Sequence, residues 1–164
     1  MTRIEPLDHR EPSAARRMHA VMVLAHAQEA LLISGGGAAP FEQSADDVAS
    51  ADATCFGAFD GTDLIGSVSL EADDEPGQIS IASLVVHPDH QRRGVARALV
   101  DQVLRHGRGD TFSVCTTAAN APALALYQSM GFVAYRVGTI GPAAVAIVKL
   151  RRQCSADPVV RALA

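Results

Sequence analysis

The sequence predicts an α+β or α/β domain, a mixed sheet covered by helices. Three observations carry that reading. Short strand-like runs interleave with longer stretches of helical period. Asp60-Gly61 stands between two such runs, a strong hairpin signal. A turn rich in arginine and holding one glycine separates an apolar run from an amphipathic helix. The order that emerges is strand, helix, three strands, helix, strand, helix and two strands.

Each element has a local reason. "TRIEPLD" reads as a strand that Pro6 ends. Ser13 is the expected cap of "AARRMHAVMVLAHAQEALLI", whose Met18, Val21, Met22, Ala25 and Leu32 line one stripe that Glu29 interrupts. "SGGGAAP" stops it, three glycines and a proline being unable to continue a helix. "SADDVAS" has the makings of one helical turn. "ATCFGAFD" and "LIGSVSLEA" form the hairpin pair, and the acidic loop "DDEPGQ" leads to a third strand, "ISIASLVVHP". In "VARALVDQVLRHG", Arg97, Asp101 and Arg105 fall on the wet face while Val95, Leu99 and Val103 point inward. "TFSVCTTA" is a further strand. Asn120 is the expected N-cap of "APALALYQSM", with Pro122 tolerated in the first turn and Gly131 ending it. "GFVAYRVG" and "AAVAIVKL" pair around a Gly-Pro turn, and residues 151–164 read as a C-terminal tail after a single domain over 1–150.

Composition narrows the function. At 164 residues and 48% hydrophobic, the chain buries a core without a metal or disulfide staple. A net charge of −4 and 4% aromatics argue against a nucleic-acid partner, which needs a basic face or stacking rings. The cysteines at 55, 115 and 154 are odd in number and widely spaced, which fits a reduced cytoplasmic setting. No His/Cys group has zinc-ligand spacing, and no run reads as a leader or a membrane span, so neither metal nor membrane is expected.

Against that acidic background, "QRRGVA" concentrates cations where a strand ends and a helix begins. The first N–H groups of a helix have no internal partner, and its dipole favours an anion there. Gly94 lets a phosphate approach the backbone or takes φ > 0, while Arg92 and Arg93 add charge-assisted donors. Neither G-x-x-x-x-G-K-[ST] nor G-x-G-x-x-G is present. The glycines after Ser34 follow a helix and read as a linker.

Taken together, "LVVHPDHQRRGVARALV" and "NAPALALYQSMGF" resemble the two signatures of the GNAT family of N-acetyltransferases, in order and separated by one strand. The resemblance covers residues 1–150. It implies a three-layer α+β fold whose mixed, mostly antiparallel sheet of six to seven strands carries helices on both faces. It implies acetyl-CoA as co-substrate, with the pantetheine arm along Leu84, Val85 and Val86. Gln91, Arg92, Arg93, Gly94, Val95, Ala96 and Arg97 would then cradle the pyrophosphate. Asn120 would lie across the cofactor, and Tyr127 near its sulfur as the acid for the leaving thiolate. The acceptor would be a small-molecule or peptide amine, with a homodimer left open.

The general base is not evident. Many relatives carry a carboxylate on the strand before the loop, where this chain reads Ile79-Ser80-Ile81-Ala82-Ser83. Ser80 or Ser83 could orient a relaying water, and Glu71 on the neighbouring strand could lie within reach. His87 and His90 read as loop histidines, and Cys115, mid-strand, as core rather than nucleophile. Asp46, Asp47 and Asp52 read as a solvated segment. The competing reading is a non-catalytic sensor that keeps the acyl-CoA cleft.

Overall fold

The computed structural model describes residues 1–34, 41–107 and 110–153. Gly35, Gly36 and Gly37 of the expected linker, and Cys154 with the rest of the tail, lie outside them. Seven strands form one mixed sheet: β1 Thr2–Pro6, β2 Thr54–Asp60, β3 Asp63–Ala72, β4 Gln78–Val86, β5 Thr111–Thr117, β6 Val133–Ile140 and β7 Val145–Gln153. Their order is β1-β2-β3-β4-β5-β7-β6. β1 with β2, β2 with β3, β5 with β7 and β6 with β7 pair antiparallel, and β4 with β5 pairs parallel. The helices are α1 Pro12–Ser34, α2 Ala45–Ser50, α3 Val95–His106 and α4 Ala121–Ser129. β7 runs three residues beyond the expected end of the domain at 150, because Arg151, Arg152 and Gln153 continue its ladder with β5.

The chain divides into two compact units, Met1–Glu71 with Ala82–Gln102, and Ala72–Ile81 with the chain from Val103 onward. In the first, α1 starts earlier than expected and has a different cap. The Glu11 carboxylate accepts the backbone N–H groups of Ser13 and Ala14 at 3.0 and 2.8 Å, together with the Ser13 hydroxyl. Pro12 takes the first helical position, where its missing N–H costs nothing. Ser13 therefore lies inside the helix, and Glu11 is the cap. Ser44 and Asp47 form a capping box on α2, so one of the acidic-segment carboxylates has a local task.

Helices cover both faces of the sheet in this unit. Met18 and Met22 of α1 and Val48 of α2 pack with Cys55 of β2, whose partner across the ladder is Ser69. Gly66 faces the other way, toward Val95 and Leu99 of α3. A Cβ on Gly66 would sit 2.9 Å from the carbonyl oxygen of Val85, a contact that only a backbone shift relieves. Gly66→Ala is expected to cost about 1–3 kcal/mol. Urea unfolding checks this, and an unchanged midpoint would show that β4 yields freely at Val85.

The second unit has a core of Phe112, Val114, Phe132 and Leu150. On the opposite side of β5, Ser113 is fully buried and its hydroxyl donates to Asp73. Lys149 of β7 reaches the same carboxylate at 2.7 Å, and the Glu75 N–H donates to it at 3.2 Å. Glu75 in turn accepts from the Tyr135 hydroxyl at 3.1 Å and pairs with Arg136 at 2.8 Å. The loop from 73 to 78 is thus tied to three strands by ionised and hydrogen-bonded groups. Cys115 corrects its expectation: it shares this side of β5 and is exposed, not core.

Candidate functional site

The strand-to-helix turn after β4 is built by local hydrogen bonds. His87 accepts the Asp89 N–H on Nδ1 at 3.1 Å and caps the 3-10 turn Pro88–His90. Its own N–H donates to Ile65 at 2.8 Å, which ties the turn to β3. The Gln91 amide donates to the Val86 carbonyl at 3.1 Å. Two residues then adopt left-handed backbone, Arg92 at φ +62° and Gly94 at φ +81°. Arginine pays a steric cost there that glycine does not, and such strain persists only where the surroundings impose it. Alternating handedness in successive residues turns their N–H groups into a concavity that suits an anion. Val95, buried, anchors the first turn of α3, and open space lies beside the Gly94 Cα where a Cβ would stand.

Arg92 and Arg93 are exposed, and among the described residues neither guanidinium has a hydrogen-bond or ion-pair partner. Ala96 is half-buried and Arg97 exposed on the first turn. Leu84 and Val85 are half-buried and Val86 is buried. Pairing of β4 with β5 spans Gln78–Ile81 against Thr111–Val114, so no residue from Ala82 to Val86 belongs to that ladder.

Asn120 is the N-cap of α4, its Oδ1 accepting the Ala123 N–H at 3.2 Å. Tyr127 lies near the other end of that helix, with 4% of its surface exposed and its ring edge-on to Phe132 at 5.4 Å. Its carbonyl accepts the Phe132 N–H at 3.0 Å, which closes the helix around Gly131. His87 and His90 meet ring to ring at 5.7 Å and build the turn, as loop histidines should.

A cleft of about 70 Å³ opens on the α1 and α2 side of the first unit. Met18, Met22, Val48 and Ala53 form its apolar wall, and Ser69, Glu71 and Ser83 its polar one. Ser83 and Ala82 belong to the stretch of β4 just before Leu84. Ser80 does not reach it. His9, buried, also lines the cleft and donates from Nε2 to the Ala51 carbonyl at 2.8 Å, since a carbonyl only accepts. Nothing in "LDHREP" marked His9 in the sequence; its burial depends on the segment after α2. Cys55 lies in the same wall, where burial first and the Glu71 charge second push its thiol up to about 11. At neutral pH it is therefore protonated and inert as a nucleophile. Among the described residues no group of three His, Cys, Asp or Glu could hold a metal, and no helix is long and apolar enough to cross a membrane.

Comparison with known proteins adds three findings. The chain is 33% identical over 130 residues to the UPF0157 protein YqkA of Bacillus subtilis (strain 168), covering 79% of this chain and 37% of that protein. It is 34% identical over 84 residues to the N-alpha-acetyltransferase RimI of Mycobacterium tuberculosis, covering 50% of this chain and 52% of that one. The chain thus spans between about a third and a half of the length of these curated relatives. The crystal structure of the ribosomal-protein-S18-alanine N-acetyltransferase from Escherichia coli shares the fold, with a TM-score of 0.75, 21% identity and 96% of both chains covered. The model of the acetyltransferase (GNAT) family matches residues 22–132, which hold the turn at Gly94, the cleft wall from Met22 to Ser83 and the α4 tyrosine, and the chain belongs to that family.

Proposed function

We propose that the protein transfers an acetyl group from acetyl-CoA to a primary amine by direct attack within a ternary complex. The observation that carries this reading is the turn before α3, where left-handed Arg92 and Gly94 lead into the start of a helix, whose first N–H groups find no partner within the helix itself. That arrangement suits a pyrophosphate held by the backbone from Gln91 to Arg97, with Arg92 and Arg93 adding charge and the backbone of Leu84, Val85 and Val86 bonding the pantetheine arm. The open space beside Gly94 is the fit such a group requires. Asn120 and Tyr127 complete the reading on the other signature.

In the reaction the neutral amine nitrogen forms a bond to the thioester carbonyl carbon and the carbon–sulfur bond breaks. The sulfur leaves as thiolate and takes the Tyr127 hydroxyl proton, while the nitrogen gives up one proton to solvent, which restores the tyrosine. No covalent acyl-enzyme is needed, in keeping with the protonated Cys55. The acetyltransferase domain runs through the end of β7 at Gln153, three residues past the expected boundary at 150. Free thiols at Cys55 and Cys115 support a reducing, cytoplasmic setting. Names of relatives that acetylate an α-amine or an alanine support an amine acceptor.

Acetyl-CoA is expected to raise the melting temperature, and the Arg92→Ala, Arg93→Ala double variant to weaken its binding about 10–100-fold, more at low salt than at high. Calorimetric titration checks both. Absence of any acetyl-CoA binding overturns the reading. Binding without thiol release across an amine panel favours the sensor.

A further inference from the structure

We propose that the cleft between α1, α2 and the strand pair β3–β4 selects a compact primary amine carrying one positive charge, and that Glu71 binds its ammonium form. This rests on the acetyltransferase reading and names the acceptor for it.

Three features of the cleft lead there. The first is its charge. Glu71 is the one carboxylate among the described lining residues, and among the described residues its carboxylate has no hydrogen-bond or ion-pair partner. The acids of the segment before β2 do not line the cleft, and two of them have local partners: Asp47 accepts from Ser44 and Asp52 meets Arg10 at 3.9 Å. A cation entering the cleft finds its counter-charge at the end of β3 and nowhere else on this wall. Ser69 and Ser83 flank Glu71 with hydroxyl oxygens able to accept the other two ammonium N–H groups.

The second feature is size. About 70 Å³ holds roughly five water-sized atoms, since each needs about 10–15 Å³. An aminomethyl or aminoethyl group with a carbonyl fits that space, whereas the ring of an aromatic side chain beside the nitrogen exceeds it and is left in the open mouth of the cleft. The third is the apolar wall. Met18, Met22 and Val48 leave a second cation no partner, and stripping its water there is costly. Methionine is adaptable, so the limit on size is graded, not absolute. Placement supports all three, because Ala82 and Ser83 carry the cleft directly onto the strand proposed to hold the thioester. Before attack the bound ammonium passes one proton to solvent water, and the neutral nitrogen left beside Glu71 carries the lone pair that attacks the thioester.

The test measures kcat and KM for glycinamide, alaninamide, phenylalaninamide and spermidine at saturating acetyl-CoA, with free thiol as readout. Glycinamide and alaninamide are expected to exceed the other two at least about tenfold in kcat/KM. Glu71→Gln is expected to raise KM for alaninamide about tenfold, leaving acetyl-CoA affinity unchanged. Met22→Ala should recover phenylalaninamide selectively, a gain that mere misfolding cannot produce. Equal use of spermidine or phenylalaninamide by the parent protein overturns the size and charge limits. An alaninamide KM that ignores Glu71→Gln overturns the Glu71 assignment while the acetyltransferase reading stands. Thiol release with none of the amines, despite bound acetyl-CoA, overturns the proposal together with catalysis.

Discussion

Tyr127→Phe is expected to lower kcat about 10²–10⁴-fold, the range typical for loss of one general acid or base. The upper end is disfavoured on magnitudes. A phenol near pKa 10 donating to a thiol near 8.5 works about 1.5 units uphill, or about 2 kcal/mol, and thiolates leave readily without help. Phenylalanine keeps the ring that meets Phe132 edge-on, so folding and acetyl-CoA affinity should hold within about twofold. The decisive comparison is kcat with the calorimetric affinity on the same samples. An unchanged kcat removes Tyr127 from the chemistry and leaves it a core residue of α4, where its 4% exposure already places the ring.

Lys149→Met is expected to cost about 2–4 kcal/mol of stability. Breaking a fully buried ion pair costs about 3–5, and Lys149 is discounted because 16% of its side chain stays exposed. For a chain of this size that loss lowers Tm by about 5–15 °C. The cause is the partner left behind: only 3% of the Asp73 side chain is exposed. Desolvation alone would raise its pKa, but hydrogen bonds from Lys149, Ser113 and the Glu75 N–H, with the Lys149 charge, hold it below the ordinary 3.8. A depressed carboxylate stabilises the fold above its unfolded pKa, and that contribution is lost as pH falls through the folded value. Lys149, raised chiefly by its bond to Asp73, contributes below its ordinary 10.5 and loses that contribution as pH climbs through the raised value. Without Lys149 only the Ser113 hydroxyl and the Glu75 N–H still oppose desolvation at Asp73, so the variant is expected to lose less stability on acidification than the parent. Urea unfolding from pH 3 to 7 checks this, and parallel curves for the two proteins would show that Lys149 is dispensable.

Much of the fold was legible because its signals are local. Asp60-Gly61 forms its turn within four residues, with Gly61 at φ +60° as a tight hairpin requires. The turn around Gly94 was legible for the same reason, as glycine, arginines and helix start are contiguous. The cap of α1 was not, because Glu11 and Ser13 can each satisfy the same orphan N–H groups, and only the backbone path chooses between them. Cys115 was misplaced because an apolar run in a strand does not say which face the rest of the protein covers.

The sequence by itself determined the order of the elements, the hairpin and the glycine turn before α3, since each depends on residues a few positions apart. Only the tertiary structure decided which acids have partners. Asp73 and Lys149 lie 76 positions apart, and no pattern announces their pairing. The cleft likewise takes its walls from α1, α2, β2, β3 and β4. Its volume, and the Glu71 charge at its exposed rim, depend on how side chains from these elements and the loops between them fill the space. Packing is a collective property of distant residues, and for that reason the turn around Gly94 could be read from the chain whereas the cleft had to be read from the fold.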